Sequence, residues 1–314
     1  MLNSPSAIVE AITRPWGTQD SLLRRTIASG ARLLRPGRAA ETAATRVEPV
    51  VPPVADSAGA EASRAAAPFD RAIWSNRLWG EGMTLPGGAE EVLRLSALLP
   101  LAPEHTLLLA GLGARAAGGV VSGARGCFVA AHDLLPPEAP GPGRGSSRRV
   151  TSAALAPEAP DFRLGYHHHA LLLEPFRRGG APEGLLRATA AALRDGGEVV
   201  LLDLVSCDDA PESRWLHAEA RRPPPPDAAL PAALEQAGFR IHVVEDAGPR
   251  QQRAVLQGWA SLLAALRSQE TRPAPREAAA LVLEAEAWLL RLRLLREGRL
   301  RLLRWHATKR RTVV

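Results

Sequence analysis

The sequence predicts an α/β protein built on a doubly wound, mainly parallel sheet, and three observations carry that expectation. The first is the stretch at 106–133, TLLLAGLGARAAGGVVSGARGCFVAAHD, which reads as strand, glycine turn, helix and strand. The second is EVVLLDLV at 198–205, a short and almost continuously apolar run of the kind a strand covered on both faces requires. The third is the alternation of such runs with helical patterns along most of the chain.

Residues 1–66 hold one short amphipathic pattern at 21–34 and then a Pro/Ala/Glu/Ser-rich tract. They are expected to form a disordered or weakly helical extension, dispensable for folding. An arginine-bearing helix there would suit at most a weak peripheral membrane contact. Order is expected from about residue 67, where Trp74, Trp79 and the segment WGEGMTLPGG precede a helix that turns Leu93, Leu95, Leu98 and Leu99 toward a core. Residues 106–110 make a first strand, ended by Gly111-Leu112-Gly113, and 127–131 a second, closing on Asp133. A third strand is expected over 150–155 and a fourth over 162–166, the latter running into His167-His168-His169.

A helix over 182–193 starts at Pro182 and stops at Asp195-Gly196-Gly197, where the 198–205 strand begins. Four prolines from Pro223 make a rigid loop, 228–237 a short helix, and 239–244 a strand leading to Glu245-Asp246. Helices follow at 252–266 and 276–296. The second should bury Leu283, Ala287, Leu290 and Leu294 on one stripe and stop at Gly298. Residues 299–308 read as a last strand, with a basic tail at 311–314. The domain is therefore expected to span 67–310, with 251–297 as a helical insertion.

With 46% hydrophobic residues the 314-residue chain can bury a sizeable core. Its net charge of +6 is concentrated at the C-terminus, where residues 267–314 hold twelve Arg or Lys against five Asp or Glu. No aromatic platform accompanies those arginines, so no nucleic-acid partner is expected. No apolar run is long enough for a membrane span. Cys127 and Cys207 lie in or beside strand-like runs without metal-ligand spacing, which fits a reduced, cytoplasmic protein. Three adjacent histidines cannot all face one metal from a strand or helix, and no metal is expected.

The chemistry resides in the 106–133 unit. In a nucleotide-binding βαβ unit the glycines let the backbone approach the ligand, and an acid about 20 residues on accepts hydrogen bonds from ribose hydroxyls. Asp133 lies 22 residues after Gly111. With that role, replacing Asp133 should alter ligand binding and leave the unliganded protein's stability almost unchanged.

The order of elements over roughly 70–310 resembles the class I S-adenosylmethionine-dependent methyltransferases. Leu193-Arg194-Asp195-Gly196-Gly197 is similar to the family's L-x-P-G-G with Asp195 in place of proline, and AGFRIHVVED resembles its AGF…E/D strand. WGEGMTLPGG looks like the segment before the glycine motif in methyltransferases of small amines such as phosphoethanolamine or sarcosine, some of which insert helices before the last strand. The resemblance implies a Rossmann-like sheet, S-adenosyl-L-methionine as cofactor and a small-molecule acceptor such as an amine. It implies Gly111, Gly113, Asp133 and Trp79 as cofactor-binding residues. An amine must lose a proton to react, which puts His168, His169, Glu174 and Asp246 forward as catalytic groups. Two positions depart from the family. Leu109 stands where an Asp or Glu is usual, and Arg115 where a small residue is usual. They leave open the alternative of a catalytically inactive, partner-binding or regulatory protein of the same fold.

Overall fold

A computed structural model describes residues 68–134, 148–208, 212–268 and 273–311. The extension at 1–66, its amphipathic pattern and most of the basic tail lie outside the described residues. In chain order the elements are α1 (Pro68–Trp79), α2 (Gly88–Ser96), β1 (Thr106–Gly111), α3 (Ala114–Arg125), β2 (Phe128–Asp133), β3 (Val150–Ala154) and β4 (His167–Leu173). After a 3-10 turn at Pro175–Arg178 come α4 (Pro182–Ala192), β5 (Leu193–Ser206), α5 (Ser213–Ala218), α6 (Ala229–Gln236), β6 (Phe239–Asp246), α7 (Gly248–Ser268), α8 (Pro275–Arg296) and β7 (Leu300–Lys309).

The seven strands form one sheet in the order β3-β2-β1-β4-β5-β7-β6. β1 pairs in parallel with β2 and β4, β2 with β3, and β4 with β5, while β7 runs antiparallel between β5 and β6. Winding proceeds outward from β1 to β3 and then resumes on the other side at β4. The carboxyl ends of β1 and β4 therefore flank the topological switch point, where sheets of this kind bind ligands.

Apolar runs in the central strands serve two cores. Leu107 and Leu109 of β1 join Leu171, Leu173, Val200 and Leu202 on one face, and Leu108 and Ala110 join Leu172, Val199 and Leu201 on the other. The first face is covered by α1, α2, α3, α7 and α8, the second by α4 and α6. The inserted helices thus share the main core. Trp79 of α1 meets Trp288 of α8 edge-on, with ring centroids 5.4 Å apart, and Trp74 donates its indole N–H to the Glu277 carbonyl at 2.8 Å.

Two expectations are corrected. The fourth strand is His167–Leu173, and 162–166 is not a strand. His167 and His169 are buried strand residues, and the Nδ1 of His169 accepts the Glu198 amide. On α8, Ala287, Leu290 and Leu294 are buried, but Leu283 is 42% exposed. The buried stripe instead runs through Ala280, Glu284, Ala287, Arg291 and Leu294. It carries two charged residues inward.

Candidate functional site

Gly111 and Asp133 are register partners at the carboxyl ends of β1 and β2. Gly111 has φ 127°, and a Cβ on it would lie 2.0 Å from the Leu173 carbonyl oxygen, so the turn packs against β4 more closely than any side chain allows. The Leu112 amide donates to that same oxygen at 2.7 Å. Gly113 caps α3 in a left-handed conformation and has no side chain with which to satisfy the helix's first N–H groups. Asp133 supplies the missing acceptor. Its Oδ1 accepts from the Gly113 amide at 3.2 Å and its Oδ2 from the Arg115 amide at 2.9 Å, placing a carboxylate at the positive end of the helix. Over the turn lies the WGEGMTLPGG segment, from which Thr84 donates to the Leu112 carbonyl at 3.2 Å.

The expectation that Asp133 carries no structural duty is overturned by these two bonds. Sequence spacing put the acid at the turn but could not show that the turn's own amides would use it.

On the other side of the switch point is a buried ion network, of which the sequence pointed to Glu174 and to Asp203 in the EVVLLDLV run. Arg291 of α8, 2% exposed, spans two carboxylates. Its Nη1 and Nη2 donate to Glu174 at 2.8 and 2.9 Å, and its Nε and Nη2 to Glu219 at 2.6 and 2.8 Å. Arg177 joins Glu219 at 3.1 Å, and the Trp215 indole N–H donates to Glu219 at 2.9 Å. Arg221 stacks on Trp215 and lies 3.6 Å from Glu174, 3.8 Å from Glu219 and 3.9 Å from Asp203. Burial alone would raise both glutamates, but the Arg291 guanidinium holds Glu174 below its ordinary value and, with Arg177, holds Glu219 down to about 2. Asp203 is pushed up to about 7 by burial, although Arg221 and the amides of Phe176 and Leu204 favour its charged form. These charges come from α8, β5, the 3-10 turn and the residues that follow β4 and α5, and only fold topology brings them together.

His168 and His169 belong to the opposite end of the sheet. His169 pairs with Leu107 at the start of β1, whereas Leu173 at the end of β4 pairs with Gly111. The structure therefore does not bring either histidine to the Gly111–Asp133 turn. His168 is held by Thr106, whose amide is 3.0 Å from Nδ1, and by Arg194, 2.9 Å from Nε2. Burial lowers His169 to about 4 and also lowers His168. Among the described residues no His, Cys, Asp and Glu group is arranged to hold a metal.

Asp246 ends β6, the edge strand on the far side of β7, where it accepts the Gly248 amide at 2.8 Å and caps α7. It too is separated from the turn, by four strand steps. Trp79 packs its ring against Gly258, where a Cβ would lie 2.4 Å away, and its carbonyl against Gly88. Among the described residues its buried indole N–H has no hydrogen-bond partner.

Among solved structures, the chain is similar to Haemonchus contortus phosphoethanolamine N-methyltransferase 2 in complex with phosphomonomethylethanolamine and S-adenosylhomocysteine, with 15% identity and a TM-score of 0.66 over 78% of this chain and 59% of that one. The chain has the class I S-adenosylmethionine-dependent methyltransferase fold. It spans 59% and 56% of the two Haemonchus contortus structures it matches. The [4+2]-cyclase SpnF is similar at 18% identity and a TM-score of 0.51, over 71% of this chain and 81% of that one. A Streptomyces coelicolor A3(2) geranyl diphosphate C-methyltransferase with Mg2+ and S-adenosylhomocysteine gives 15% identity and a TM-score of 0.50, over 70% and 75%. No protein-family model and no curated protein matches the sequence. One fold thus carries both methyl transfer and a cyclisation among these neighbours, so activity must be argued from the site.

Proposed function

We propose that this chain is an S-adenosyl-L-methionine-dependent methyltransferase acting on a small molecule. The observation that carries the reading is the meeting of Gly111, Gly113 and Asp133 at the switch point of the sheet, in the fold whose neighbours were solved with this cofactor or its demethylated product. The residues present fit the group. Asp133 offers a buried carboxylate for ribose hydroxyls, Gly111 and Gly113 the turn, and Trp79 a buried donor that has no acceptor among the described residues. When bound, the cofactor would supply an electrophilic methyl group. The protein's part is to hold and orient both reactants and to exclude water.

Of the proposed proton acceptors, Glu174 is the one beside the turn, and Arg291 keeps it ionised and clamped. Asp203, at about 7, is the group at the carboxyl ends of the strands suited to exchange a proton near neutrality. His168, His169 and Asp246 are assigned structural duties. A second reading, an inactive protein of the same fold, is favoured by Leu109, which is fully buried in the core where the family has a carboxylate.

Titration calorimetry with S-adenosylhomocysteine on the full chain separates the two. Saturable binding that is weakened by Asp133→Asn supports the first reading. No binding supports the second, and binding indifferent to that substitution would show that Asp133 does not hold the cofactor.

A further inference from the structure

We propose that β6 is a self-association edge: two copies of this chain join antiparallel through it, about a two-fold axis between His242 and Val243, into one continuous sheet. The inference stands on the strand itself and is independent of the methyltransferase reading.

β6 closes the sheet on one side, paired with β7, and no described strand pairs its outer edge. Such an edge offers a row of backbone N–H and C=O groups to another chain, and soluble proteins guard it with lysine, proline, a very short strand or a bulge. Phe239–Asp246 is eight residues long and holds neither lysine nor proline. At its middle Val243 is 43% and Val244 51% exposed. The guard it does have is a bulge at His242, where the register with β7 shifts between Ile241 and Val243.

That bulge makes the strand complementary to itself. Residues directly opposite on paired strands share a face of the sheet. Ile241 opposes Ala307 and Val244 opposes Trp305, and both partners belong to the core covered by α4 and α6. Arg240, Val243 and Glu245 oppose Thr308, His306 and Arg304, which alternate with those partners and take the other face. His242 joins this second group, its Nε2 lying 2.7 Å from the Thr308 hydroxyl. From Arg240 to Glu245 the faces therefore read the same from either end. A two-fold axis perpendicular to the sheet reverses a strand and keeps its faces, so a strand of this pattern can oppose its own copy at every position. A regular strand would send His242 and Val243 to opposite faces and could not pair about this point.

The side chains complete the match. In this register Arg240 opposes the second copy's Glu245, Ile241 opposes its Val244, and His242 opposes its Val243, each pair occurring twice. Arg240 is exposed and has no carboxylate partner among the described residues. Glu245 is held by Arg304 and Arg250 but keeps 35% of its side chain exposed, and a carboxylate has room for a further guanidinium. Opposite charges and apolar residues facing each other across strands both stabilise the pairing. An unrelated extended segment would satisfy the backbone groups equally well, but charge and apolar residues fall into place on both sides with a second copy of this strand.

Sedimentation equilibrium of the full chain over a concentration series tests the proposal, with a monomer–dimer equilibrium expected. Arg240→Glu sets a carboxylate against Glu245, and Val244→Lys sets an ammonium against Ile241. Each should weaken the dimer roughly tenfold or more, since every change acts twice, while Arg240→Lys should largely preserve it. Both positions are exposed in the single chain, so the diluted variants should melt like the parent. Hydrogen exchange at 240–245 should slow as concentration rises, with 150–154 on the opposite edge unchanged. A parent chain that stays monomeric overturns the proposal, as does a dimer that Arg240→Glu and Val244→Lys leave intact. Protection of 240–245 that is independent of concentration would give the edge to another segment of the same chain and overturn it too.

Discussion

Asp133 and Arg115, eighteen residues apart, are joined by a 2.9 Å hydrogen bond from the Arg115 amide to the Asp133 carboxylate, so the acid at the end of β2 caps the helix that follows β1. A second bond, from the Gly113 amide, completes the cap. Asp133→Ala would leave two donors of the helix N-terminus without this acceptor, and the loss should be ~2–4 kcal/mol of stability even without ligand. Asp133→Asn keeps a carbonyl oxygen and should lose less. Urea denaturation of the three proteins checks the order. An alanine variant as stable as the parent would show that the cap is dispensable.

The same residue shows how far the sequence could be read. Thr106–Gly111 and Phe128–Asp133 were legible because β1 is apolar on both faces, β2 opens on an apolar run and the glycines fall at the turn. The site's geometry followed from that spacing, but the occupancy of Asp133 did not. β4 was misplaced because histidine scores as polar, while His167 and His169 are buried in the strand. The buried face of α8 departs from the leucine pattern for a related reason. Periodicity turns leucines inward and arginines outward, and here Leu283 faces solvent while Arg291 is buried between Glu174 and Glu219. Such an inversion is stabilised only through partners that follow α5 and β4, which no local pattern encodes.

Glycines in the first βαβ unit divide sharply by what surrounds them. Gly111→Ala should be among the most damaging single substitutions, losing more than about 4 kcal/mol, because its Cβ would strike the Leu173 oxygen at 2.0 Å in a left-handed backbone. Gly119→Ala, in the interior of α3 with nothing within 4 Å of the added carbon, should gain ~0.4–1 kcal/mol. Melting temperatures moving in opposite directions are the expected outcome. Equal responses would contradict the packing described for the turn.

Stability should rise with pH from 4 to 6.5. Burial pushes His167 and His169 from 6.5 down to about 4. Below 6.5 the unfolded chain therefore binds protons that the folded chain refuses, and the contribution of both residues is complete above 6.5 and lost as pH falls toward 4. Asp203 acts in the opposite sense. Burial raises it from 3.8 to about 7, so over that range the folded chain keeps a proton that the unfolded chain releases, and stability falls as pH rises. Two histidines outweigh one aspartate until they finish titrating. The melting temperature should climb between pH 4 and 6.5 and then dip slightly toward 7. His169→Gln should flatten the climb, and a parent chain whose melting temperature falls between pH 4 and 6.5 would refute the assignment.

Leu109 decides whether the family's missing carboxylate can be put back. It pairs with Ala131 on β2 and Leu171 on β4, is fully buried, and belongs to the main core with Leu107, Leu171 and Leu173. A carboxylate there must be desolvated unless a cation approaches it, and an unpaired buried charge costs several kcal/mol even after it shifts its pKa and takes up a proton. In the unliganded chain Leu109→Asp should therefore be strongly destabilised, while Leu109→Asn, which carries no charge, should suffer less. Adding S-adenosylhomocysteine separates two histories of the site. If the ligand's ammonium can reach position 109, the aspartate variant should regain melting temperature in proportion to the logarithm of ligand concentration, and the asparagine variant should not. If neither variant responds while the parent chain binds, leucine has become part of the packing and the ammonium is held elsewhere. Thermal melts of the three proteins over a ligand series distinguish these outcomes, and binding by Leu109→Asp alone would identify this residue as the lesion in an otherwise intact cofactor site.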